Sequence, residues 1–347
     1  MKRKAGGRAV QRLVTAGALT LSLVGVSARA DDPDPRTLAW MQSVLDAWPT
    51  TTRRDLRVPL QSPPWIIFYD DSTAWHLNPD TARLPSHTTG KATLRYANSR
   101  YTLARVANDG KLWVPDRDAL PLAPRSVSMV YSNGQKPFTI LPLPRLFRRM
   151  APPDGSAELD KAFLGAAIHE LTHTRHLVGY GKRLEQLRAR YRLPDTFDDN
   201  LIQERYGEDT AYTALLAEER TALTEAVFAK TPAAAKAELR KALAAAERRK
   251  KTFFDGDNAG LSELDDFFLV LEGAGMWAQY QHARRAAPPG EPWQRTLGLL
   301  LNRTRSWSQG EGLALFVLLD RYRPNWQATF MTTTFPSPFT ALRDAAR

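Results

Sequence analysis

Between Trp65 and Phe147 the chain repeats short runs rich in β-branched and aromatic residues: PWIIFYD, KATLRYA, YTLARVA, KLWVP, SVSMVYS and PFTILPL. Turn residues bound each run, a pattern that predicts strands. Asn108-Asp109-Gly110 and Ser132-Asn133-Gly134 predict hairpin turns, because Asn and Gly accept positive φ at little cost. Residues 31–60 are poorly patterned, with one helix predicted around Thr37–Ala47. Pro152-Pro153-Asp154-Gly155 marks a change of regime, and from about Glu158 the apolar period becomes helical. Thr231-Pro232 reads as an N-cap followed by proline at the first helical position. Ser262 is predicted to cap the helix ELDDFFLVLEGAGMWAQYQ. Pro288-Pro289-Gly290 ends that helix, and GEGLALFVLLDRY forms another. The fold class expected is α+β: a strand-rich lobe over 31–155 and a helical lobe over 156–347, together forming one unit. No repeat or low-complexity segment is present.

The first 30 residues stand apart. Lys2, Arg3, Lys4, Arg8 and Arg12 precede an apolar run, LVTAGALTLSLVGV, and Ser27-Ala28-Arg29-Ala30 follows it. That order predicts a secretory signal peptide cleaved after Ala30. The run is short for a bilayer span of about 20 residues, so no stable membrane insertion is expected after cleavage. Export changes the reading of charge. The whole chain carries a formal +11. The leader holds six of the 48 basic residues and none of the 37 acidic ones, which leaves 42 against 37, a formal +5. That charge is mostly scattered, so nucleic acid is not an expected partner. The run ELRKALAAAERRKK reads as the solvated face of an Ala-rich helix. With no cysteine there is no disulfide framework and no lipoprotein anchor. The protein is expected in the periplasm or the medium. No pattern specifies its oligomeric state.

The densest chemistry lies in AFLGAAIHELTH. His169 and His173 are four apart, so on a helix they project from one face and converge on a single ion. Glu170 lies between them, beside the position of an activated water. Zinc suits this H-E-x-x-H spacing, because it accepts neutral imidazole and carboxylate and keeps one position open for water. A third protein ligand is required. His176 shares the face, but it stands about 10 Å from His169 along a helix axis, too far for a shared zinc. It is left as a cleft or surface residue. Glu272 and Glu219 both border predicted apolar helix faces and compete for the role. PFTILPLP, just upstream, is a candidate sheet edge for an extended peptide, but a plain core strand is the favoured reading of it.

HELTH followed downstream by EGAGMWAQY resembles the gluzincin-type zinc metallopeptidases, many of which join H-E-x-x-H to a later helix bearing E-G-x-A-x-Y or a close variant. The later GEGLALFVLLDRYRPNW resembles the trailing helix of exported bacterial proteins of that kind. The resemblance spans roughly Ala157 to Trp326. It implies a zincin-like fold, a Zn2+ cofactor held by His169, His173 and Glu272, Glu170 as base, and a peptide or protein substrate. Gly275 stands where the family pattern has Ala. Glu219 remains as an alternative ligand or as an acceptor for a ligand histidine. No Met-turn and no H-E-x-x-H-x-x-G-x-x-H extension occurs, which excludes the metzincin pattern. Tyr280, His282, Arg321 and Tyr322 are candidate donors to a developing oxyanion. The rival expectations are a non-catalytic zincin-fold binding protein of the cell envelope and a binding module whose H-E-x-x-H is coincidental.

Overall fold

The structure, a computed structural model, describes residues 32–347 apart from 118, 133–134, 149–155, 194–197, 305 and 333–335. The predicted leader, the Pro152–Gly155 break and the tip of the Ser132-Asn133-Gly134 turn lie outside the described residues. The chain is mixed α+β, with its sheet in the N-terminal part and helices after it. No helix among the described residues is long and apolar enough to cross a membrane.

The helix expected near Thr37 is α1 (Pro35–Thr50), capped by Asp34, whose carboxylate accepts from the backbone of Arg36 and Thr37. A π-helical turn, Thr51–Asp55, continues it. The strands are β1 (Trp65–Tyr69), β2 (Thr73–Leu77), β3 (Thr88–Tyr96), β4 (Ser99–Ala107), β5 (Lys111–Leu112), β6 (Leu120–Pro121), β7 (Val127–Tyr131) and β8 (Lys136–Pro142). Six of them form one sheet in the order β3-β4-β2-β1-β8-β7, and β5 and β6 pair separately. Strand β1 runs parallel to β8, and β7 antiparallel to it.

The favoured core-strand reading of PFTILPLP holds, and one turn expectation needs correction. The segment PFTILPLP holds β8, which is interior, between β1 and β7; the edge beside the helical layer is β7. Asn108-Asp109-Gly110 does turn the chain, with Gly110 at φ 66°. It makes no hairpin, because β4 and β5 belong to different sheets.

The helices that follow are α2 (Pro144–Arg148), α3 (Ser156–Tyr191), α4 (Leu201–Tyr206), α5 (Thr210–Phe228), α6 (Pro232–Phe253), α7 (Ala259–Ala286), α8 (Trp293–Arg303), α9 (Trp307–Tyr322), α10 (Gln327–Phe330) and α11 (Pro338–Ala346). Thr231 caps α6 as expected, accepting from the Ala234 amide at 3.2 Å. Ser262 is no cap: α7 begins at Ala259, so Ser262 lies within its first turn. One apolar cluster unites α1, one face of the sheet, α3 and the helices after it. Helix α3 packs on β7 and β8 on one side and on α7 on the other. Helices α7 and α9 approach backbone to backbone. A Cβ on Gly273 would come within 2.8 Å of the Gly312 carbonyl oxygen, and a Cβ on Gly312 within 2.8 Å of Gly273. Only glycine fits at both places.

The other face of the sheet carries a second apolar cluster built on Trp65, Ile67, Phe138 and Ile140. His76 of β2 is fully buried beside it. Its Nδ1 accepts from Trp65 Nε1 at 3.0 Å, and its ring lies 5.8 Å from those of Trp65 and Trp113. Burial, then the nearby His87, pushes its pKa down to about 3. The folded protein therefore holds this imidazole neutral while the unfolded chain protonates it below about 6.5. The contribution is complete above that pH and is lost as pH falls from 6.5 toward 3, at about 1.4 kcal/mol per unit. Urea unfolding at pH 6.5 and pH 5 should show His76→Asn losing about 2 kcal/mol less than the parent across that interval. An identical pH slope in both proteins would show that His76 is not held neutral.

Candidate metal centre

Helix α3 presents His169 and His173 one turn apart, as the spacing requires. The rings lie 4.5 Å apart at 88°, and their Nε2 atoms approach to 2.8 Å. Ala167, Ile168, Leu171 and Leu177 bury the same stretch of helix in the core. From α7, Glu272 closes the group. Its Oε2 lies 3.2 Å from His169 Nε2 and its Oε1 3.5 Å from His173 Nε2. All three residues are buried, and they form a group that could bind a metal ion.

The spacing fits one ion. Donors about 2.1 Å from a tetrahedral centre stand about 3.4 Å from one another, close to the three separations here. The hydrogen-bond inventory fits as well: Glu272 Oε1 is buried and has no hydrogen-bond partner among the described residues. An acceptor oxygen held in that way is costly unless a cation meets it. Burial, then His169, holds His173 well below the usual imidazole range. It therefore offers a lone pair rather than a proton.

Packing aims the rings. Neither His169 Nδ1 nor His173 Nδ1 has a hydrogen-bond partner among the described residues. His169 lies directly on the backbone of α7 at Gly275, where an added Cβ would stand 3.0 Å from the ring. A side chain there would crowd the ring, so the absence of a Cβ at Gly275 leaves His169 its place.

Glu170 sits between the histidines and is 1 % exposed. Its carbonyl accepts from Ser128 Oγ of β7 at 2.7 Å, while its Oε2 has no hydrogen-bond partner among the described residues. Burial, reinforced by the charge of Glu272, raises its carboxyl well above the usual range. A raised carboxyl is a stronger proton acceptor than an ordinary Glu, which suits a general base.

The remaining candidates fall elsewhere. Glu219 is not at the centre: it binds Arg249 through both oxygens, at 2.7 and 3.1 Å. An acid buried on a helix face needs a cation, and Arg249 supplies one. Arg249 itself corrects the reading of ELRKALAAAERRKK as a solvated face, because it is fully buried. It also reaches Tyr212 at 2.8 Å, Asp265 at 3.2 Å and Glu311 at 3.3 Å. His176 is buried, stacked on Tyr180 at 4.6 Å, with Nε2 3.1 Å from Met331 Sδ. Its pKa is depressed to about 3, chiefly by burial.

Arg321 is occupied at the end of α5, donating to the carbonyls of Ala226 and Val227 at 3.0 and 2.8 Å. Tyr280 and His282 lie about 12 and 15 Å along α7 from Glu272, and Tyr322 about 20 Å along α9 from the turn that meets Glu272. None of the four joins the centre.

Two residues that the sequence did not single out do approach it. Gln309, in the first turn of α9, donates from Nε2 to Glu272 Oε2 at 3.0 Å. Asp199 is buried, accepts from Ser306 Oγ at 3.3 Å, and is raised well above the usual range by burial and then by Glu272. The Gly273–Gly312 crossing brings Gln309 to the carboxylate, since Gln309 lies one turn before Gly312 and Glu272 directly before Gly273. Pairing of two glycines was the available signal, but sequence gives no register between helices.

No family model, no curated protein and no solved structure matches the chain. The centre is therefore read from its own atoms. His173→Ala removes one of three donors. Metal analysis of protein purified without added metal should fall from about one ion per chain to near zero, as expected when a ligand is lost from a three-donor site. Unchanged stoichiometry would place the ion elsewhere.

Proposed function

We propose that the chain is an exported, zinc-dependent metallopeptidase of zincin-like fold, hydrolysing peptide bonds with Glu170 as general base. One observation carries this reading: two imidazole nitrogens and a carboxylate oxygen converge within bonding reach of one ion, with a second carboxylate beside them. Two imidazole nitrogens and one carboxylate oxygen suit zinc with an open fourth position. When bound, zinc acidifies a water and polarises the scissile carbonyl. Glu170 takes the proton at Oε2 and passes it to the leaving amine. Strand β7, the sheet edge along α3, is where an extended substrate would add its main chain.

A second reading, a non-catalytic zincin-fold binding protein, is favoured by one observation. His169, Glu170, His173 and Glu272 are at most 4 % exposed, so a substrate needs the cleft to open. Hydrolysis of a peptide library separates the two. A peptidase cleaves, loses activity to a chelator and regains it with zinc. Bound zinc with no cleavage of any peptide supports the binding protein.

A further inference from the structure

We infer that Gln309 is a positioning residue that ties down one oxygen of Glu272 and leaves the other for the metal. This rests on the metal reading above and extends it to the mode of ligation. The two oxygens of Glu272 are not equivalent. Each faces a histidine, Oε2 at 3.2 Å from His169 Nε2 and Oε1 at 3.5 Å from His173 Nε2. But Oε2 also accepts from Gln309 Nε2 at 3.0 Å, whereas Oε1 is buried without a hydrogen-bond partner among the described residues. A carboxylate with one oxygen engaged by an amide offers the other to a cation as a single donor. The ion then has three protein donors and one open position; binding through both oxygens would add a fourth protein donor and crowd that position.

Gln309 has this task because the imidazoles lack it: neither Nδ1 is hydrogen-bonded among the described residues. It is the side chain outside the ligand group whose hydrogen bond to a ligand is seen, and it is held there by the glycine crossing of α7 and α9.

Two variants of matching length test the idea in the full chain. Gln309→Met keeps the volume and removes the donor, and Gln309→Glu replaces the donor with an acceptor. Zinc affinity is measured by competition with a chromophoric chelator, and coordination number by the visible absorption of the Co2+-substituted protein. Thermal melts of the metal-free proteins confirm that both variants fold; Gln309 is half-buried in a first helical turn, where either side chain is tolerated. We expect zinc affinity to fall by about 10–100-fold in both. The Co2+ bands should lose the intensity of a four-coordinate site as Glu272 turns to bind through both oxygens. Affinity within twofold of the parent in both variants overturns the inference, as does weaker binding with an unchanged Co2+ spectrum. A parent protein that binds neither ion refutes the metal reading itself, a separate result.

Discussion

Replacing Arg249 with methionine will destabilise the protein strongly, by about 3–5 kcal/mol. The guanidinium is fully buried and meets three acids: Glu219, Asp265 and Glu311. They come from α5, α7 and α9, so one side chain of α6 joins four helices. Burial opposes its charge, but the surrounding carboxylates outweigh that and raise its pKa well above the usual range. Glu311 relieves part of the crowding, since burial and then Glu219 raise its carboxyl well above normal. Met keeps much of the volume but, among the described residues, leaves Glu219 without its cation and Asp265 with Lys250 at 3.4 Å. Removing one partner of a buried ion pair costs about 3–5 kcal/mol, a large part of a typical total of about 5–15 kcal/mol. Urea unfolding should register that loss, and Glu219→Gln introduced beside Arg249→Met should recover part of it. A loss below about 1 kcal/mol would mean that the network contributes no more than a surface pair.

The same residues show what the sequence could and could not disclose. His169 and His173 were legible because their geometry is local: four residues on a helix set the spacing whatever the rest of the chain does. Glu272 and Glu219 looked alike because both sit on apolar helix faces, and burial of an acid does not say which cation meets it. The difference lies in Arg249, concealed in a run of basic residues whose neighbours Arg248 and Lys251 are exposed. Resemblance, not periodicity, favoured Glu272. Strand β2 escaped notice because TAWHL carries a single β-branched residue, whereas β1 and β7, equally buried, are rich in β-branched and aromatic side chains that mark a strand without alternation. The edge position of β7 was unreadable for another reason. It depends on β1 pairing with β8, across a long stretch of chain, and strand order is a property of the assembled sheet.

Glu170→Gln should abolish peptide hydrolysis while leaving the metal in place. The substitution preserves size and an acceptor oxygen but removes the ability to take a proton. Glu170 is not one of the three converging donors, so metal content should match the parent. Loss of a general base costs about 10²–10⁴-fold in rate. The buried setting points to the upper part of that range, because bulk water reaches a group that is 1 % exposed poorly and cannot substitute for it. His173→Ala also ends activity, but by losing the ion, so metal analysis of the two variants separates removal of the base from removal of the metal. Full activity in a zinc-loaded Glu170→Gln protein would require another base. Asp199 has a raised carboxyl and lies near Glu272, so Asp199→Asn in that background would identify it. If parent and variant bind zinc equally and neither cleaves any peptide, the peptidase reading fails and the binding-protein reading stands.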